Sequence, residues 1–201
     1  MHDQLKEKIL FKEYRLQNEE KIQYFSHGIG ADFGNLLQVI DNCKEIEGDF
    51  LEIGCFKGSS TCLMASYIEE EKIDKCLYVY DYFEGFTYKE ATTSIDNIWL
   101  DTHKTDGLKS LNNRVVKRLS DKDKLKIYKR NIIDNDAIKE IDKIAFANID
   151  VDLYEAIVAA LNHVHKKLTK NGIIVVEDAG HTPALLGAKL ALEEFLNEKS
   201  E

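Results

Sequence analysis

With 201 residues, 44% of them apolar, the chain is long enough to bury the core of one domain and short for two. Its formal charge of −9 and isoelectric point near 5.2 exclude a general binder of nucleic-acid backbones or anionic membranes, since both need a positive surface field. A small-molecule partner is expected instead.

The first 25 residues, MHDQLKEKILFKEYRLQNEEKIQYF, space apolar residues at helical intervals among lysines and glutamates, which predicts one or two surface helices. A glycine-bearing loop, SHGIGADFG, and a helix over NLLQVIDNCKEI follow. Short apolar strands then alternate with amphipathic helices. Strands are predicted at 49–54, 76–81, 125–130, 143–150 and 172–178, and helices at 59–71, at 154–168 and from about Ala184. Tyr154, Ile157, Val158, Leu161, Val164 and Leu168 share one face of the helix 154–168, and the GIIVV after it has the apolar run of a buried parallel strand. The alternation predicts an α/β fold: a doubly wound, mainly parallel sheet with helices on both faces. Residues 82–124 hold the only tryptophan, Trp99, and no clear strand; they read either as a lid or as a pair of crossover helices. The four cysteines, Cys43, Cys55, Cys62 and Cys76, form no CxxC pair, and the N-terminus lacks a basic-then-apolar leader. Reduced thiols in a cytoplasmic protein are therefore expected. No apolar run approaches the roughly 20 residues of a membrane-spanning helix.

Doubly wound sheets take ligands beyond the carboxyl ends of their strands, so the residues at those ends are the candidates. The first strand leads into LEIGCFKGSST, where Glu52, Gly54 and Gly58 precede a helix opening at Ser59, Ser60 and Thr61. Glycines allow a tight turn, and a helix start offers free N–H groups to an anion. Neither a G-x-G-x-x-G fingerprint nor a GK[ST] phosphate loop is present. The second strand ends on Asp81, placed to accept from the hydroxyls of a ribose; with the glycine turn it points to an adenosine-containing ligand. The fourth strand supplies Asp150 and Asp152, and the fifth Glu177 and Asp178. Four carboxylates in one crevice repel unless a cation or protons compensate, and a hard divalent ion, Mg²⁺ first, suits oxygen ligands. Asp152 has a structural alternative, because DLYE fits a helix-capping box; Asp150 has none. His181, after EDAG, can serve either the crevice or a turn, and His27 and His103 have no assignable place.

Together GDFLEIGCFKGSST, VYDYFEGF, ANIDVDLYEAIVAAL, LTKNGIIVVEDAGHTP and GAKLALEEF resemble the macrocin O-methyltransferase family, class I enzymes that use S-adenosylmethionine (SAM) and a metal to methylate sugar hydroxyls. The resemblance covers about residues 47 to 196. It implies SAM binding by Glu52, Gly54, Gly58, Ser59, Ser60, Asp81 and Asp134, metal ligation by Asp150, Glu177 and Asp178, and Asp152 as general base. It also implies a methyltransferase domain over 47–201 and a sugar acceptor; the helical segment over 1–46 is expected to pack on or cap the active site, and residues 82–124, lid or crossover helices, to shape the acceptor pocket with it. Two departures stand out. The family's acidic pair is usually Asp-Asp, here Glu177–Asp178, and the β-hairpin usual after the last helix is not expected, which leaves GIIVV at a sheet edge for a partner subunit or the N-terminal helices to cover. Three rival readings remain at this stage: a glycosyltransferase holding a metal with D-x-D, a non-catalytic SAM or nucleotide binder, and an oxidoreductase, which the absent dinucleotide fingerprint weakens.

Overall fold

The computed structural model describes residues 30–105, 122–180 and 184–199. Helix α1 (Gly30–Cys43) starts inside the predicted glycine loop, because Phe33, Leu36, Leu37 and Ile40, three and four residues apart, bury one face of it. After it come β1 (Asp49–Ile53), α2 (Ser59–Glu70), β2 (Leu77–Asp81), β3 (Leu125–Lys129), β4 (Ile144–Ile149), α3 (Tyr154–His165), β5 (Leu168–Val176) and α4 (Leu186–Glu198). All neighbouring strands pair in parallel, in the order β3-β2-β1-β4-β5. The predicted N-terminal helices, residues 106–121 of the insert, and His27 and His181 lie outside the described residues. The described part of the insert carries 3-10 turns at Lys89–Thr92 and Asn97–Trp99 in place of crossover α-helices.

The central strands are closed on both sides. On one face Phe50, Val79, Phe146 and Val175 meet α1 and α2, with Phe50 and Phe146 edge to face at 6.0 Å. On the other Leu51, Ile53, Tyr80, Ala147 and Ile149 meet Ile157, Leu161 and Val164 of α3 and Ala188 and Ala191 of α4. Every residue of β4 is buried, as expected of a parallel strand covered twice.

The helix predicted over 154–168 ends three residues early. Leu168 continues the apolar spacing of α3, but it opens β5 instead, in register with Ile144, and the Thr169 hydroxyl donates to the Ile144 carbonyl at 3.1 Å. The register then shifts, with Asn171 at φ 67°, before Ile173–Val176 pair with Phe146–Ile149. Among the described strands β5 is an edge, and Ile173 to Val176 are only partly buried, unlike β4. None of the four cysteines is in a disulfide, and among the described residues no helix is long and apolar enough to cross a membrane.

Candidate functional site

Strand order reverses between β1 and β4, and the crevice beyond their C-terminal ends is where such a sheet takes a ligand. The chain leaves β1 at Gly54 with φ 84°, and a Cβ there would stand 1.8 Å from the Asp150 carbonyl oxygen; only glycine fits. Asp81, at the end of β2, gathers the following turn. Its Oδ2 accepts from the amides of Cys55 (2.8 Å) and Phe56 (2.9 Å), and its Oδ1 from that of Phe83 (2.6 Å). Gly58 is the N-cap of α2, and among the described residues no side chain caps that helix.

Glu52 sits beneath this turn, fully buried in the sheet. One oxygen accepts a hydrogen bond from the Thr61 hydroxyl. The other, Oε1, has no partner among the described residues, and the same is true of both side-chain polar atoms of Asn148, its register neighbour on β4. Burial pushes the Glu52 carboxyl up to about 7; the Ser60 and Thr61 hydroxyls oppose the shift, while the charges of Glu177 and Asp81 add to it.

Past β4 and β5 the ladder continues for one residue. Asp150 N donates to Ile53 O at 2.8 Å and Glu177 N to Ile149 O at 3.0 Å, which sets the two acidic pairs side by side. One oxygen each of Asp150, Asp152 and Asp178 lies within 4.8 Å of the others. Glu177, expected among the ligands, is outside that trio and shares a hydrogen bond with Asp150, as Asp152 does with Asp178. Burial, then the surrounding carboxylates, hold Asp150 well above the usual carboxylate range; burial and the Asp178 hydrogen bond do the same for Asp152. The capping reading of Asp152 fails. Leu153 is the N-cap of α3 and no side chain of its own caps it, while the Tyr154 amide donates at 3.1 Å to Oδ2 of Asp96, 58 residues earlier.

A cavity of about 580 Å³, its open mouth included, joins these parts. Gly54 and Asp81 line it with Tyr82, Arg130, Asn131 and Ile132, and Asp150 and Asp152 line it with Phe56, Phe86, Tyr88 and His103. Phe56, His103 and Asp152 hold left-handed backbone conformations (φ 47°, 57° and 60°), which cost energy and concentrate at sites that need a fixed shape. Four predicted cofactor residues, Glu52, Gly58, Ser59 and Ser60, do not line the cavity. They build the strand-to-helix connection beside it. Asp134 is exposed, donates its amide to the Asn131 carbonyl and does not line the cavity, whereas Asn131 and Ile132 do. Applying the strand-end rule to β3 would have found Asn131. The aromatic wall and Asp96 left no local signal.

A family model for macrocin O-methyltransferase (TylF) matches residues 29–200. The chain belongs to the macrocin O-methyltransferase family. Gly54 of the glycine turn, Asp81 closing β2, and Asp150 and Asp152 beyond β4 line one crevice, with Asp178 grouped beside them. Solved structures with the same fold include the O-methyltransferase NovP (TM-score 0.69, 20% identity, 84% of this chain and 72% of that one). CalS11, a calicheamicin methyltransferase, follows at 0.70 and 16%, covering 87% and 75%. The SAH-bound methyltransferase PaMTH1 of Podospora anserina gives 0.57 and 12%, covering 94% and 76%. At these identities the likeness is one of fold. Comparison with curated protein sequences gives no match.

Proposed function

We propose that this chain is a SAM-dependent, divalent-metal-dependent O-methyltransferase acting on a hydroxyl of a sugar or sugar-containing small molecule. The observation that carries this reading is the carboxylate trio of Asp150, Asp152 and Asp178 in and beside a cavity that also takes in Asp81. An all-oxygen donor set suits a hard divalent ion, and a cation would offset what raises the Asp150 and Asp152 carboxyls: burial first, then the neighbouring acidic groups. Tyr82, Asn131 and Ile132 beside Asp81 offer the mixed apolar and amide surface that suits an adenosine.

Bound there, SAM would supply the methyl group, and the cation the positive charge that makes a sugar hydroxyl acidic. Asp150 and Asp178 would hold the cation, and Glu177 would fix Asp150 through their shared hydrogen bond. Asp152, in the same group and with a raised proton affinity, takes the hydroxyl proton on a carboxylate oxygen. Asp81 already accepts three backbone amides, so it orients a ribose by sharing its remaining acceptor capacity. Phe56, Phe86 and Tyr88 form an apolar wall that keeps bulk water from the reacting atoms. The β5 edge pairs with a second copy of the chain in this reading; light scattering that gives only a monomer, with β5 amides exchanging rapidly, would contradict it.

The test is titration with Mn²⁺ alone and with SAH alone, in the parent protein and in Asp150→Ala, Asp178→Ala and Asp152→Asn. The first two variants lose Mn²⁺ and keep SAH, and Asp152→Asn keeps both while losing methyl transfer. Parallel loss of Mn²⁺ and SAH in Asp150→Ala contradicts the division of roles. Loss of Mn²⁺ in Asp152→Asn makes that residue a ligand.

A further inference from the structure

Asp96 lies in the insert, between the two 3-10 turns, and is 3% exposed. Its carboxylate meets the starts of two helices. Oδ2 accepts from the amide of Tyr154, the first residue of α3, at 3.1 Å, and Oδ1 from that of Gly187, the second residue of α4, at 3.2 Å. Neither helix has a side-chain cap of its own, for the N-cap positions are Leu153 and Leu185. One buried charge from the insert thus supplies both caps, at the positive ends of two helix dipoles. The fit is tight: a Cβ at Gly187 would stand 1.8 Å from Asp96 Oδ2. Three residues on, the indole N–H of Trp99 donates to the Ala184 carbonyl at 3.3 Å, a second tie between the insert and the approach to α4.

The two helices follow the strand ends that carry the four acids, and Tyr154 is two residues past Asp152. The insert that carries Asp96 also supplies Phe86, Tyr88 and His103 to the cavity wall. We infer that Asp96 is a positioning residue: it latches the insert to both helix starts, and so sets the aromatic wall of the cavity and the Asp152 turn against the other carboxylates. The inference rests on the proposed function for the meaning of the carboxylate group, while the latch itself is independent of it.

Trp99 is the chain's single tryptophan, so without ligand its emission reports the surroundings of this one position in the insert. The experiment compares the parent protein with Asp96→Asn, which leaves one acceptor oxygen and turns an amide N–H₂ on the other helix, and with Gly187→Ala, which displaces the carboxylate without altering it. In both variants Trp99 emission moves to the red and becomes more open to acrylamide. The amides of Tyr154 and of position 187 exchange faster. The dissociation constant for Mn²⁺ titrated alone rises by about tenfold, the effect of one lost charged hydrogen bond, while SAH affinity holds. The double variant is no worse than the worse single, because both break one contact. A lower melting temperature with unchanged Trp99 emission, amide exchange and Mn²⁺ affinity makes Asp96 a structural cap only and overturns the inference. If the parent protein fails to bind Mn²⁺, the metal reading fails, and Trp99 emission with the two amides decides the latch alone.

Discussion

Replacing Glu52 by glutamine removes a proton-binding group from the core while keeping its volume and an acceptor for Thr61. In the native protein the carboxyl is fully buried and its proton is released only near pH 7; the unfolded chain releases it near 4.5. Between those values the native state holds a proton that the unfolded state has lost, so stability falls as pH rises. The contribution of Glu52 is highest below 4.5, declines across the interval and levels off above 7. At about 1.4 kcal/mol for each pH unit, the loss is about 3 kcal/mol. A glutamine at this position has no proton to lose, so Glu52→Gln matches the parent protein near pH 4.5 and exceeds it by up to about 3 kcal/mol at pH 8, or about 6–12 °C in melting temperature for a chain of this size. Urea unfolding followed by circular dichroism at the two pH values, without metal or SAM, measures the difference; other titrating groups cancel between the two proteins. A stability difference that is the same at pH 4.5 and pH 8 would refute the reasoning.

Gly54→Ala drives a Cβ into the Asp150 carbonyl in a left-handed conformation and is expected to cost at least about 2 kcal/mol. Differential scanning calorimetry checks it, and a melting temperature within a degree of the parent contradicts the packing described. Asp134→Ala leaves SAH affinity unchanged, since Asp134 is exposed and off the cavity, whereas Asn131→Ala weakens it; calorimetry with the reverse ranking restores Asp134 to the cofactor site.

The repeating strand and helix pattern and the positions of Gly54, Asp81 and the two acidic pairs were legible because each rests on local chemistry: apolar runs, a turn that needs glycine, charge at a strand end. Where the fold reaches across the chain, the sequence is silent. Leu168 carries the spacing of α3 onward, and only its pairing with Ile144 shows that it belongs to β5. Glu52 stands next to a glycine turn, as a cofactor residue would, but the pleat of β1 turns it beneath the turn toward Thr61. Asp152 carries every mark of a helix cap except the bond itself, which Asp96 makes instead from 58 residues away. The aromatic wall of Phe86, Tyr88 and His103 comes from a segment with no periodic pattern at all, and its place follows from tertiary contacts.

The most direct test of the central claim is a calorimetric comparison of SAM, NAD and a UDP-sugar, each with and without Mg²⁺, on the parent protein and on Asp81→Ala. The claim predicts that SAM binds, that Asp81→Ala weakens it by about tenfold or more through the lost ribose contact and the released turn amides of Cys55, Phe56 and Phe83, and that NAD and the UDP-sugar do not bind. Binding of NAD or the UDP-sugar in place of SAM would contradict it.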